Sequence, residues 1–354
     1  MGQNLRVCVD DQALLPHLSM VIDDSKALVR THVPTGVLSS LCEQRLNSFE
    51  AEVQKLGSAP CIDVPYFLCR GLCEDEKKSR AAAVLGTFVY LGCDILDDLH
   101  DHELPSSGHS PAHVSLAGSL FLSTLPTLAI SDFLSSTDPK SFIACEAVAK
   151  SLLTMARGQT RDIESRFNPN LSVEEIEETI ILKSGEEMAL FCRLSAILAD
   201  QNEEVQQNCA QFGRDIATAL QIVSDLTDIF EETTSNDLRE GTLTLPLALH
   251  FLRLGKGEKD SFCRVWRKSS KDQGVRRTLQ NHLKESGALA HSALMIEAYC
   301  EKAGKTLGSL TLHPESRAPL EDLLERISQY AVFHLQSFLK KTSQLEISTT
   351  LMGM

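Results

Sequence analysis

Along most of the chain, apolar residues recur at i, i+3, i+4 and i+7, and no stretch alternates as a half-buried strand would. This period predicts helices near 36–56, 77–103, 112–133, 139–166, 172–200, 203–232, 244–254, 273–308 and 318–342. Pro and Gly cluster between them, at Pro34–Gly36, Gly57–Pro65, Pro105–Pro111, Gly255–Gly257 and Gly308–Pro314. None of these gaps is a long linker, and no short repeat period emerges. The expected fold is all-α. A single large helical bundle spans 34–345, after a loosely attached extension at 1–33 and before a tail at 346–354.

Two of these helices carry acid where their pattern calls for apolar residues. In Asp94-Ile95-Leu96-Asp97-Asp98-Leu99-His100-Asp101 the four aspartates fall on one side of the helix, at about 100° per residue. Tyr90 and Gly86 continue that stripe through an otherwise apolar helix. Like charges on a buried face repel and are costly to desolvate. Divalent cations remove the conflict, and Mg²⁺ favours a couple of carboxylates with phosphate oxygens and water. A solvated helix face would also accept four aspartates, but it needs polar neighbours that this helix lacks. The second cluster is Gln221-Ile222-Val223-Ser224-Asp225-Leu226-Thr227-Asp228-Ile229-Phe230-Glu231-Glu232. Ser224, Asp228 and Glu232 form one stripe at i, i+4, i+8, flanked by Gln221 and Asp225. Glu231 and Glu232 read equally well as an ordinary surface helix end. Each cluster lies near the C-terminal end of a long apolar helix. An antiparallel bundle would face the two across a cavity and could hold metal ions around a diphosphate.

The formal net charge of −14 at pH 7 argues against nucleic acid, which selects basic surfaces. An anionic substrate would need a local site where metal ions or basic side chains reverse the sign. Eleven cysteines lie scattered without C-x-x-C pairs, which suggests neither a disulfide framework nor a zinc site. The N-terminus lacks a signal-peptide pattern, and no apolar stretch reads as long enough to span a bilayer. The expectation is a cytoplasmic protein with no stable membrane anchor.

The motifs together resemble the trans-isoprenyl diphosphate synthase (polyprenyl synthetase) family of the class I isoprenoid synthases. Asp97-Asp98-Leu99-His100-Asp101 matches the family's first DDxxD. Met155-Ala156-Arg157-Gly158-Gln159-Thr160-Arg161-Asp162 matches MxxGQxxD, and Lys183-Ser184-Gly185 matches its Lys-Thr/Ser-Gly. Gln221 to Asp228 corresponds to QxxDDxxD, and Asn236-Asp237-Leu238-Arg239-Glu240-Gly241-Thr242-Leu243-Thr244-Leu245-Pro246 looks like SDLxxGKxTLP. The resemblance implies a bundle with a central cavity, three Mg²⁺ ions, a prenyl diphosphate substrate and a homodimer. It implies that Asp97 and Asp101 bind metal from one wall, with Asp98 behind them. Asp228, with Ser224 or Asp225, would bind metal from the other. Lys183 and Arg239 would contact diphosphate, and Gln159, Asp162 and Gln221 would line the upper cavity.

Departures from the family shape the functional expectation. Elongating members bind isopentenyl diphosphate through a basic GGKRxRP stretch before the first DDxxD and an Arg-Arg-Gly after it. Here the corresponding stretches hold Lys55 and no arginine. Ser224 and Thr242 replace the leading Asp and the usual Lys, while Ser224, Asp228 and Glu232 are similar in spacing to the terpene cyclase triad. The expected activity is therefore a terpene synthase that ionises one prenyl diphosphate and cyclises or eliminates. The alternatives are chain elongation, prenyl transfer to a different acceptor, and a non-catalytic partner subunit. Small residues at Gly92 and Cys93, with Tyr90 deeper and then Gly86 about 16 Å below Asp97 at 1.5 Å per residue, predict an open channel for fifteen carbons or more. Asp94 faces that channel one turn below the metals, where it could orient water, accept a proton or pair with a neighbouring helix.

Overall fold

The longest apolar stripes fold as the longest helices. The computed structural model describes residues 15–102, 109–134, 137–230 and 236–351, with side chains as far as 332. In order these are α1 (Pro16–His32), α2 (Val37–Leu56), α3 (Pro60–Cys73), α4 (Glu76–His100), α5 (Pro111–Ser119), α6 (Leu125–Phe133) and α7 (Pro139–Glu164). Then come α8 (Val173–Ile180), α9 (Glu186–Leu198), α10 (Glu203–Phe230), α11 (Asn236–Glu240) and α12 (Leu245–Arg253). Finally there are α13 (Lys256–Ser269), α14 (Gln273–Glu285), α15 (Ala288–Ser309) and α16 (Pro314–Leu351). Two π-helical turns, Leu120–Thr124 and Ile181–Gly185, join α5 to α6 and α8 to α9. No strand occurs among the described residues. The protein is all-α, as its periodicity predicts.

The centre of the bundle is α4, α9 and α10. Helix α9 is buried along nearly its whole length, and α10 packs on it and on α15. Gly213 makes this approach possible, because a Cβ there would lie 2.4 Å from the Met188 carbonyl oxygen. Helix α4 rests on α3, α5 and α9, with Val84, Leu85, Phe88, Val89 and Leu91 fully buried.

Four expectations change. Residues 16–32 are no loose extension: α1 buries Leu18, Val21, Ile22 and Val29 completely and packs on α2 and α4. Asp24 anchors it by accepting two bonds from Arg80, at 2.8 and 2.5 Å. Helix α3 was hidden by its prolines. Pro60 occupies the first turn, where no backbone N–H is needed, while Pro65 lies inside the helix. The predicted helix at 273–308 divides at Gly287, whose φ of +74° ends α14 and starts α15. The stretch Pro111–Phe133 is, by length and composition, apolar enough to cross a membrane, with 44% of its most apolar window buried in the bundle. Its scattered Ser and Thr residues and Pro126 conceal this in the sequence.

The expected channel also narrows. A Cβ at Gly92 would meet the Leu122 backbone nitrogen at 2.6 Å, and one at Gly86 would meet the Cys61 carbonyl at 2.5 Å. Both glycines are points of backbone approach between helices. Neither leaves open space. Tyr90, Cys93, Asp94 and Asp97 keep partial exposure while protein surrounds Tyr90 and Cys93, as in the wall of a cleft.

Two stability measurements follow. Ile22→Ala removes a fully buried side chain and should lower the unfolding free energy by about 2–5 kcal/mol in urea. An unchanged value would mean that α1 is not part of the core. Gly92→Val should cost about 1–3 kcal/mol by overpacking, because its nearest obstacle is backbone. A neutral result would restore the open channel.

Candidate active site

The site grows from the C-terminal ends of α4, α7 and α10 and from the π turn at Ile181–Gly185. Single-turn π segments inside helices often occur where a side chain must be redirected. Here the turn presents Lys183, and α7 closes on it at Gly158, where a Cβ would lie 2.7 Å from the Lys183 nitrogen. The Lys183 ammonium lies 3.2 Å from Asp97 Oδ2 and 3.2 Å from Asp162 Oδ2. Burial works against its charge, but Asp97 and Asp162 outweigh it and hold Lys183 above the ordinary lysine range.

Asp101 is met by Arg166 at 2.6 Å, and Arg166 also reaches Glu240 at 3.4 Å. Burial and the Asp97 charge still raise Asp101 above the usual carboxylate range. Arg239 donates to the Asp101 carbonyl at 3.3 Å and to Glu240 at 3.1 Å. Gln159 lies 3.4 Å from His100 Nδ1, and its Oε1 is buried with no partner among the described residues. Asp98 is half-buried.

On the α10 wall, Ser184 donates to Gln221 at 2.8 Å, and Gln221 donates to Asp225 Oδ1 at 2.9 Å. Asp225 is 4% exposed, and its second oxygen accepts from the Leu245 N–H at 3.4 Å. Burial pushes Asp225 up to about 7. Asp228 caps α11 by accepting the N–H groups of Asn236 and Asp237, at 3.1 and 3.2 Å. Asp237 lies well above the carboxylate range because it is buried and faces Asp228, Asp225 and Asp162. Ser224 keeps partial exposure on the same stripe as Gln221 and Asp228. Glu232 lies outside the described residues. A cavity of about 60 Å³ opens here between Asp162, Lys183, Gln221, Asp225, Asp237 and Thr244. The Thr244 hydroxyl is buried without a partner among the described residues.

Gly241 fixes the loop beneath. Its φ is +74°, and a Cβ would overlap the Phe167 ring at 2.2 Å. Phe167 N–H donates to the Gly241 carbonyl at 2.7 Å.

Four contributors were missed in the sequence. Arg166 stands four residues after Asp162, so helical spacing could have found it. Glu187 stands four after Lys183 on the same face. Asp237 was quoted in a motif without a role. Arg45, on the ordinary amphipathic helix α2, forms an ion pair with Asp94. Asp94 thus takes the neighbouring-helix partner, one of the roles its position allowed.

The donors here are hard oxygen groups, and the acidic pair Asp225 and Asp237 is held against its own repulsion. Among the described residues no three carboxylates already converge as a metal cage. Mg²⁺ is commonly held by only one or two carboxylates with substrate phosphates, so the donor set fits it.

A polyprenyl synthetase family model matches residues 95–283, more than half of the chain. The octaprenyl diphosphate synthase of Escherichia coli is 22% identical, over 71% of this chain and 77% of that protein. The geranylfarnesyl diphosphate synthase of Aeropyrum pernix is 23% identical, over 67% and 77%. A prenyl transferase of Cyanidium caldarium is 22% identical, and this chain spans 58% of its length. The geranylgeranyl pyrophosphate synthetase of Pyrococcus horikoshii superposes with a TM-score of 0.74 at 21% identity, covering 88% of this chain and 95% of that one. These relatives are named for prenyl transfer or prenyl diphosphate synthesis, not for the cyclisation expected from the sequence departures. Motif order, fold and family match agree: the chain belongs to the polyprenyl synthetase family.

Proposed function

We propose that the protein is a Mg²⁺-dependent prenyltransferase that ionises an allylic prenyl diphosphate and extends it with isopentenyl diphosphate. One observation carries this reading. Lys183 links the α4 carboxylates to Asp162, and Asp162 in turn faces Asp225 and Asp237 beside α10, so both acidic walls belong to one site. Three Mg²⁺ ions held by Asp97, Asp101, Asp228 and Ser224 would turn the diphosphate into a leaving group. Lys183 and Arg166 stand beside the same carboxylates and supply fixed positive charge to the departing anion. Asp225, tied to Gln221 and Leu245, orients the α10 wall. Tyr90 and Cys93 line the hydrocarbon side and exclude water.

A second reading, conversion of a single prenyl diphosphate by cyclisation or elimination, is favoured by the state of Arg45. This α2 cation stands near the cleft but is engaged by Asp94. A second diphosphate needs several fixed donors. The distinction is experimental. With Mg²⁺ and geranyl, farnesyl or geranylgeranyl diphosphate, elongation yields a longer diphosphate only when isopentenyl diphosphate is added. A hydrocarbon or alcohol formed from the allylic substrate alone would establish the second reading. Asp97→Ala should lower diphosphate release at least about a hundredfold, and full activity of that variant would sink the assignment of the site.

We also propose a cytoplasmic homodimer. Helices α5 and α7 expose Leu116 (53%), Phe142 (74%) and Leu153 (68%), an apolar face of the kind subunit contacts cover. The double substitution Phe142→Glu, Leu153→Glu should shift the sedimentation coefficient from dimer to monomer. A dimer unaffected by both charges would place the contact elsewhere.

A further inference from the structure

One residue beyond Arg166 the chain begins the wall of another cavity, about 650 Å³ in volume, within the usual range of small-molecule sites. Residues 167–170 make one wall, and a stripe of α13 makes the other. Asp260, Cys263, Arg264 and Arg267 stand at i, i+3, i+4 and i+7, so they share a helix face. The cavity is separate from the acidic site: neither Asp97, Asp101 and Lys183 nor Asp225 and Asp228 line it.

The loop wall is held firmly. Phe167 has a φ of +51°, a left-handed conformation uncommon outside glycine. Its N–H is tied to the Gly241 carbonyl at 2.7 Å, and its ring lies 5.5 Å from that of Trp266 on α13. Asn168 gives its Oδ1 to the Asn170 N–H at 3.2 Å, which leaves its amide N–H groups as donors. Phe167 and Pro169 keep partial exposure and add apolar surface.

The helix wall carries charge that the fold does not consume. Asp260 precedes Arg264 by four residues, the favoured order for an ion pair within a helix. Yet neither Arg264 nor Arg267 forms an ion pair or hydrogen bond among the described residues. Arg80, Arg166 and Arg214, by contrast, are each fixed by a carboxylate. The surroundings sharpen the difference. Residues 253–284 hold ten Lys and Arg against three Asp and Glu, in a chain whose net charge is −14. Two open guanidinium forks one turn apart suit the several oxygens of a phosphate, whereas a carboxylate has only enough oxygens to fill one fork.

We propose that this cavity binds a phosphate monoester, with its phosphate on Arg264 and Arg267 and its organic part against Phe167 and Pro169. Asn168 adds donors from the loop wall. Asp260, one turn before Arg264, repels a second anionic group, which favours a single phosphate over a diphosphate. The inference does not depend on the reaction proposed for the acidic site.

Trp266 is the chain's single tryptophan and reports from beside Phe167. Its emission would be followed as the full chain, in EDTA, is titrated with phenyl phosphate, inorganic phosphate, benzoate or vesicles containing phosphatidate. Phenyl phosphate should change the emission saturably, with a Kd about tenfold below those of inorganic phosphate and benzoate. Arg264→Gln together with Arg267→Gln should raise that Kd at least about tenfold, with an unchanged thermal melt because both side chains are exposed. Lys183→Met, a change in the acidic site, should leave it as in wild type. Saturation with vesicles alone, still requiring both arginines, would identify the ester as a lipid headgroup. No saturable change with either ester overturns the proposal. So does wild-type affinity in the folded double variant, or loss of binding in folded Lys183→Met. Should the double variant unfold, the two single variants decide.

Discussion

The site is organised by a single lysine among acids. Asp97, Asp162, Asp225, Asp228 and Asp237 come from four segments of chain, and no solvent-rich surface separates them. Without a cation, such a gathering would push the helices apart or force protons onto the carboxylates. Lys183 answers one half of this problem by contacting Asp97 and Asp162 together. Arg166 does the same for Asp101. The other half remains in Asp225 and Asp237, whose raised proton affinities record it. The ligand-free protein is thus partly self-neutralised. Binding a metal–diphosphate group exchanges internal ion pairs for external ones. It does not have to create charge complementarity from nothing.

That arrangement makes demands on distant parts of the bundle. Lys183 can stand between α4 and α7 only because Gly158 lets the α7 backbone touch the π turn. The α10 wall approaches through Gly213, and the loop that carries Asp237 is fixed where Gly241 meets Phe167. Helix α1 supports the far side of α4 through Arg80 and Asp24. Residues that touch no substrate therefore set the spacing of those that do.

The sequence made the helices legible because amphipathic period and burial express the same physics. It was blind to α3, where two prolines imitate a loop, and to α1, which reads as an appendage until α2 and α4 are folded beside it. The metal-type carboxylates were legible as misplaced charge in apolar helices. Their partners were harder to see. Arg45 and Asp94 are brought together by tertiary packing alone, and no spacing announces the pair. Gly86 and Gly92 were read as empty space because a missing side chain looks like room. In the folded chain another backbone fills it. Glu187 had a usable signal, an acid one turn beyond Lys183 in an apolar helix, the same kind of anomaly that exposed Asp97.

The π turn at Ile181–Gly185 has a geometric consequence of its own. A turn with one residue more than a regular helix rotates everything after it by about 100° relative to the unbroken register. The run from Val173 to Leu198 therefore serves two neighbourhoods at different azimuths. Before the turn, Ile176 and Ile180 face the packing partners of α8. After it, Met188, Phe191 and Cys192 bury against the bundle. Deleting a single residue there would close the turn into regular α-helix with α8 and α9 at their present azimuths, so what the extra residue maintains is the widened turn that presents Lys183, not the packing on either side of it.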